Sequence, residues 1–159
     1  RDSSTSRGLG DVYKRQIVKF TKLDIRSDYM EKWKEVFVGI IPQGNYQTQI
    51  TNGEDKGLIL ELKSEDSHIV LNFGMVQAVR MLDEGVVQKE LYADSEVEKF
   101  KGNGFKNVIY EITGGEFAKQ IQNIADGYWE TLDAKHYVII TQNYNIDIIT
   151  EWRPEINIL

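Results

Sequence analysis

The stretch SHIVLNFGMVQAVRMLDEGVVQKELY, residues 67–92, decides the fold of this chain. Its first part alternates, because Ile69, Leu71 and Phe73 fall on one side of an extended segment. Gly74 then interrupts the pattern, and an isolated glycine inside a strand pattern indicates a bulge or a bend. We therefore expect two strands separated by Gly74, the second of which continues through 76–81.

The second part of the same stretch carries charge close to the apolar run. Arg80 precedes the acidic pair Asp83 and Glu84 by three residues, which predicts a local ion pair at the end of a strand. These three residues are our first candidates for a specific binding surface. The spacing gives no sign of a reaction.

The segments around this stretch also alternate in the way that strands do. A predicted meander precedes it, and the stretch itself ends in a short predicted strand at 86–92. The clearest local signal is a C-terminal hairpin with a turn at 142–145, which we expect Pro154 to stop. The strands predicted outside the quoted stretch are 17–23, 46–51, 58–63, 107–112, 137–141 and 146–152.

Apolar spacing of three and four residues predicts helices in three places. An N-cap at Ser27 or Asp28 begins a helix over 27–38, and a brief helix runs from Asp94 or Ser95 to Lys101. A third helix over 114–129 follows a tight Gly-Gly turn. The sum is an α+β domain with six to eight mostly antiparallel strands and two or three helices on one face.

Residues 1–16, RDSSTSRGLGDVYKRQ, differ from the rest of the chain because they show no periodicity. They resemble the translation of a sequencing adaptor, as found at the ends of metagenomic gene sequences. We expect a non-native segment here, with a single domain over 17–159; a natural disordered tail is the alternative. The whole chain has a net charge of −6 and residues 1–16 contribute +2, so residues 17–159 carry −8.

Composition narrows the function classes. The chain has no cysteine, which rules out disulfides and thiolate metal sites and fits a cytoplasmic protein. No apolar run reaches the roughly 20 residues that span a bilayer. An acidic surface disfavours nucleic acid and anionic membranes, since both are bound by clustered Lys and Arg. It favours encounter with a basic protein partner, and the charged residues flanking most strands indicate a monomer or small homo-oligomer.

Motifs that would dictate a reaction or a cofactor do not occur in the sequence. Of the two histidines, His68 is expected to be solvated and His136 to be a hydrogen-bonded structural residue, and neither has metal-ligand spacing. There is no phosphate-binding glycine loop and no nucleophile motif. We therefore expect no cofactor and no metal, although a site assembled from distant residues stays open.

Two further residues complete the candidate binding set. Glu111 lies in a predicted strand and could pair with Glu116 in acid–base chemistry, as could Asp83 with Glu84. Tyr144 falls at the predicted tip of the C-terminal hairpin, where a ring buries little unless a partner covers it. With Arg80, Asp83 and Glu84, these residues are the predicted contacts of a binding surface; none is assigned as catalytic.

Two stretches, IVLNFGMVQAVRMLDEG at 69–85 and HYVIITQNYNIDIITEWRPEI at 136–156, carry a resemblance. There the chain resembles small, acidic, uncharacterised single-domain proteins of Gram-positive bacteria, some of them suspected immunity proteins of toxins. The resemblance implies a bacterial binding protein that blocks a toxin. It supplies no catalytic residues.

Three function hypotheses follow. The first is a non-enzymatic intracellular binding protein of the immunity type, whose acidic face docks onto a basic partner. The second is a phage- or mobile-element-encoded inhibitor that sequesters a nucleotide-like signal, which needs Arg80 beside an aromatic ring. The third is an enzyme that uses paired carboxylates, with Glu84 and Glu111 among the candidates.

Overall fold

The computed structural model describes residues 30–87 and 91–159. Nine strands are present in these ranges: β1 Lys32–Glu35, β2 Gln47–Gly53, β3 Gly57–Lys63, β4 His68–Gly74, β5 Ala78–Asp83, β6 Ile109–Thr113, β7 Lys135–Ile140, β8 Tyr144–Thr150 and β9 Glu155–Ile158. The same ranges contain two α-helices, α1 Asp94–Lys101 and α2 Glu116–Ala125. A 3₁₀ segment at Glu84–Val86 precedes α1, and another at Asp126–Thr131 follows α2. The predicted strand over 17–23 lies outside the described residues.

The strands form two sheets, and every pairing is antiparallel. One sheet has five strands in the order β1-β6-β7-β8-β5, and the other has four in the order β2-β3-β4-β9. The predicted meander corresponds to β2, β3 and β4, and the predicted C-terminal hairpin is β7–β8. The fold is mostly antiparallel α+β. The described residues contain nine strands, more than the six to eight expected, and these divide between two sheets.

The main core lies between the two sheets. Alternation in β3 turns Leu58, Leu60 and Leu62 inward, where they join inward residues of β4, β6, β7 and β8 in one buried cluster. Burial of this apolar surface is the main stabilising contribution.

The five-stranded sheet is also covered on its outer face. Trp33, Tyr110 and Val138 form a second buried cluster there, against which Val97 and Phe100 of α1 pack. Phe117 of α2 lies over the same face, with its ring centroid 5.9 Å from that of His136. Both helices therefore cover one face of the sheet, as the sequence predicted.

Gly74 divides the stretch at 67–92 between the two sheets. It ends β4 with φ +65°, and the β3–β4 register shifts opposite it, between Leu58 and Ile59. Gly57 lies against it so closely that a Cβ there would come within 2.1 Å of the Gly74 carbonyl. Beyond Gly74 the chain crosses to the other sheet, where β5 pairs with β8. The predicted bend is confirmed, and the structure adds that its two strands belong to different sheets.

Two local predictions were wrong. The helix predicted over 27–38 is replaced from Lys32 to Glu35 by strand β1, because pairing with β6 outweighs a helical spacing of few apolar residues. The strand predicted over 86–92 is absent from its described residues, which form a 3₁₀ turn and a bend. The C-terminal hairpin ends before Pro154, as predicted, since β8 stops at Thr150; after the proline, β9 pairs with β4 in the other sheet.

No helix within 30–87 or 91–159 combines the length and apolar character needed to cross a membrane.

Candidate functional site

Four polar side chains meet on the outer face of the five-stranded sheet, in a group that we call the Asp147 cluster (Asp147, Arg80, His136 and Tyr92). Oδ2 of Asp147 accepts from Nε and Nη2 of Arg80 at 2.9 and 2.7 Å and from the Tyr92 hydroxyl at 2.9 Å. Oδ1 accepts from Nε2 of His136 at 2.7 Å. The cluster joins β5, β7, β8 and the segment before α1 through one carboxylate.

The start of α2 covers the cluster. The Arg80 guanidinium lies 4.5 Å from the centroid of the Phe117 ring, a cation–π arrangement. Gly115 leaves room for the imidazole, since a Cβ there would lie 2.9 Å from Nδ1 of His136. That Nδ1 is buried and has no hydrogen-bond partner in the described chain. The predicted Gly-Gly turn before this helix is thus needed for close packing.

The environment of the cluster favours a fixed charge arrangement. Asp147 is fully buried and the Arg80 side chain is 20% exposed. Burial, and secondly the negative charge of Asp147, raise the pKa of the Tyr92 phenol well above its usual range. Tyr92 therefore stays neutral and donates a hydrogen bond to Asp147. The arrangement ties elements together, and the guanidinium has two of its donors committed.

A cavity of about 490 Å³ opens beside the cluster, between α1, the Glu84–Val86 turn and the β7–β8 turn. We call it the Trp33 cavity. Its walls include three aromatic residues, Trp33, Tyr92 and Phe105, together with aliphatic side chains such as Val97 and Ile140. This volume falls in the range of about 300–1,000 Å³ that is typical of ligand pockets.

Charged side chains surround the opening of the Trp33 cavity. Of the residues that the structure describes, Glu84, Asp94 and Glu98 line it and are exposed. The one lysine among these lining residues, Lys101, pairs with Glu98 at 3.6 Å. Asn145 lies on the β8 wall of the cavity and is only 9% exposed. The cavity is therefore aromatic inside and negatively charged at its opening.

Hydrogen bonds of the Glu96 and Glu31 carboxylates hold the walls of the cavity in place. The buried Glu96 of α1 accepts from the backbone N–H of Trp33 at 2.9 Å, and Lys99 donates to the same carboxylate. Glu31 accepts from the Trp33 indole and from the Ala93 backbone N–H, at 2.7 and 2.8 Å. These bonds attach α1 to the edge strand β1 and fix the Trp33 ring.

The predicted site residues lie in different environments. Arg80 pairs with Asp147, so the expected ion pair with Asp83 was wrong; the buried carboxylate is the better partner for a half-buried guanidinium. Asp83 is exposed at the end of β5, where its side chain accepts from the Gly85 N–H at 2.9 Å. Glu84 lines the Trp33 cavity.

Glu111 and Tyr144 lie away from that cavity. Glu111 is half-buried in β6 and pairs in register with Tyr137; two strands, β7 and β8, lie between β6 and β5. Tyr144 begins β8 and packs against the main core, so its expected place at an exposed hairpin tip was wrong. The turn is shorter than predicted, which draws the tyrosine into the strand.

Sequence reasoning missed Asp147, Asn145, Tyr92 and Phe105. Asp147 had a detectable signal: it stands between isoleucines in the middle of a confident strand, and a charge there requires a buried partner. The other three had none, because only the packing of α1 brings them together. His136 is hydrogen-bonded, as predicted.

Within residues 30–87 and 91–159, no three His, Asp or Glu side chains are grouped so that they could hold a metal ion.

Comparisons of the chain with family models, with curated protein sequences and with solved structures found no significant match.

Proposed function

We propose that this chain is a non-enzymatic, intracellular binding protein of the immunity type, which docks the acidic opening of the Trp33 cavity onto a basic partner protein. The observation that carries the proposal is the combination found there: exposed Glu84, Asp94 and Glu98 surround an aromatic cavity. One of the predicted contact residues, Glu84, is part of it.

The two parts of this surface have different roles in binding. Exposed carboxylates attract a basic partner over a distance and mainly raise the association rate. Affinity comes from the centre of an interface, where aromatic anchors are sheltered from water. The Trp33 cavity offers such a centre inside an acidic rim.

The nucleotide-ligand hypothesis has less support. It needs Arg80 free to bind a phosphate, whereas Nε and Nη2 of Arg80 donate to Asp147 and its guanidinium lies over Phe117.

The paired-carboxylate hypothesis also has less support. Glu84 follows β5 and Glu111 lies in β6, and the strand order separates these strands by three spacings, roughly 14 Å. Two carboxylates that share glycosidase-type chemistry lie about 5 to 9.5 Å apart.

The test is co-expression with the product of each neighbouring gene, scored by rescue of growth and by co-purification. Replacing Glu84, Asp94 and Glu98 by their amides should abolish both effects. The same loss of three charges at exposed Glu54, Glu65 and Asp66 is the matched control and should leave both intact. If no neighbouring product is toxic and none forms a complex, the proposal is overturned.

A further inference from the structure

Aromatic rings and one amide distinguish the interior of the Trp33 cavity. Trp33 and Tyr92 meet edge to face, with ring centroids 5.2 Å apart and planes at 88°. Trp33 is 7% exposed, so the half-buried rings of Tyr92 and Phe105 present more of the accessible aromatic surface to the cavity. Aromatic faces attract cations, most strongly when the cation is sheltered from water.

Tyr92 cannot easily turn away from this arrangement. Its hydroxyl donates to Asp147 at 2.9 Å, which anchors the far end of the ring in the Asp147 cluster. Trp33 is held by Glu31 at its indole nitrogen. The two aromatic walls are consequently positioned before any ligand arrives, which lowers the entropic cost of binding.

Asn145 is the second, independent feature. The residue is 9% exposed and lines the cavity, and within residues 30–87 and 91–159 its side-chain amide makes no hydrogen bond. The buried, unpaired polar side-chain atoms of that part of the chain belong to Tyr110 and His136, so the Asn145 amide is open to the cavity rather than sealed in the interior. A side-chain amide has two donors and an acceptor oxygen that can bind a ligand there. A ligand with N–H donors would satisfy the amide oxygen.

The charge of the opening selects the sign of the ligand. Among residues 30–87 and 91–159, three carboxylates and one lysine line it, and that lysine already pairs with Glu98. A cationic group that enters would lie between this negative rim and the aromatic interior. Val97 and Ile140 offer apolar contact for an aliphatic stem.

We propose that the Trp33 cavity is a guanidinium pocket that receives an arginine side chain of the partner; this inference rests on the proposed function for the source of that arginine. A guanidinium is planar, stacks on aromatic faces and presents five donors, so it can bind the Asn145 oxygen and the rim carboxylates together. An ammonium is a compact, strongly hydrated charge and would lose more by leaving water. Arginine is therefore preferred to lysine.

The test is calorimetry of the full chain with four probes: N-acetyl-arginine methylamide, its lysine counterpart, hexa-arginine and hexa-lysine. We expect both arginine probes to bind more tightly than their lysine counterparts, by about tenfold or more. Asn145→Leu should remove that preference. Because the Asn145 amide makes no hydrogen bond within the described residues, its loss should leave the unfolding midpoint nearly unchanged. The amide substitutions at Glu54, Glu65 and Asp66 serve as the control for charge alone.

Each outcome has a distinct meaning. Equal binding of the two hexapeptides, weakened by loss of the rim carboxylates, overturns the guanidinium pocket and leaves docking to a basic partner standing. Binding of N-acetyl-arginine methylamide without binding of either peptide supports a pocket for a free guanidinium compound and overturns the docking. An arginine preference that survives Asn145→Leu overturns the assigned pocket, and no binding by any probe overturns both proposals.

Discussion

Arg80 and Asp147 stand opposite each other in the β5–β8 register, and Nε and Nη2 of the arginine donate to the same carboxylate oxygen at 2.9 and 2.7 Å. A fully buried aspartate in the middle of a strand is tolerable only with such partners. The pair links the edge strand β5 to the centre of the five-stranded sheet. Its second effect is to fix Tyr92, which forms a wall of the Trp33 cavity.

Asp147→Asn should lower the free energy of unfolding by about 3 kcal/mol, because the substitution leaves a half-buried guanidinium without its counter-charge. Denaturant unfolding at neutral pH measures this. Combining it with Arg80→Met should cost less than the sum of the two single changes, by about 1–3 kcal/mol. The control is Asp83→Asn at the exposed end of β5, which should lower the free energy of unfolding by much less than Asp147→Asn does. Equal losses at both positions would contradict the pairing of Arg80 with Asp147.

Gly57→Ala should destabilise the protein by about 3 kcal/mol, because φ is +69° there and the added Cβ would strike the Gly74 carbonyl at 2.1 Å. Gly53→Ala, in the same hairpin, meets nothing within 4 Å and should change stability by no more than about 0.5 kcal/mol. Thermal and denaturant unfolding of the two variants side by side make the measurement. Equal stability of the two would show that the close approach of β3 and β4 is wrong.

Tyr92→Phe should make the alkaline loss of stability less steep. The folded-state pKa of Tyr92 is raised, by burial first and by Asp147 second, so its contribution is fully present below the unfolded value of about 10 and is lost as the pH rises above it. Each such tyrosine adds about 1.4 kcal/mol per pH unit to the slope there. Measuring the free energy of unfolding by denaturant at several pH values between about 9 and 12 tests this. If the variant keeps the same slope of unfolding free energy against pH, the buried hydrogen bond from Tyr92 to Asp147 is contradicted.

Glu96→Gln should flatten the acid side of the stability profile. Lys99 first, and the Trp33 backbone N–H second, lower the pKa of the Glu96 carboxyl. A lowered folded-state pKa gives stability that is present above the unfolded value, about 4.3, and is lost as the pH falls through the folded value. Unfolding measured from neutral to acidic pH reports the difference. Glu98→Gln removes an exposed charge two residues away and is the matched control; a larger effect from that variant would contradict the prediction.

Strand alternation and turn residues were enough to predict much of the sheet from the sequence. Leu58, Leu60 and Leu62 have no other way to be buried together than in a strand, and Gly74 could only be a bend or bulge. The β7–β8 hairpin was found for the same reason, and the α2 region was found from its apolar spacing of three and four residues. These elements are stabilised by local patterns that a single segment already contains.

The sequence by itself determined the antiparallel α+β character, the buried faces of the central strands and an acidic chain. Only the tertiary structure decided that the strands divide into two sheets, that Lys32–Glu35 is a strand, and that Arg80 binds Asp147 across 67 residues of chain. The reason is physical: alternation specifies which face of a strand is apolar but not which strand lies beside it. The Trp33 cavity belongs to the second group, because α1, the β7–β8 turn and β1 form it only after they pack.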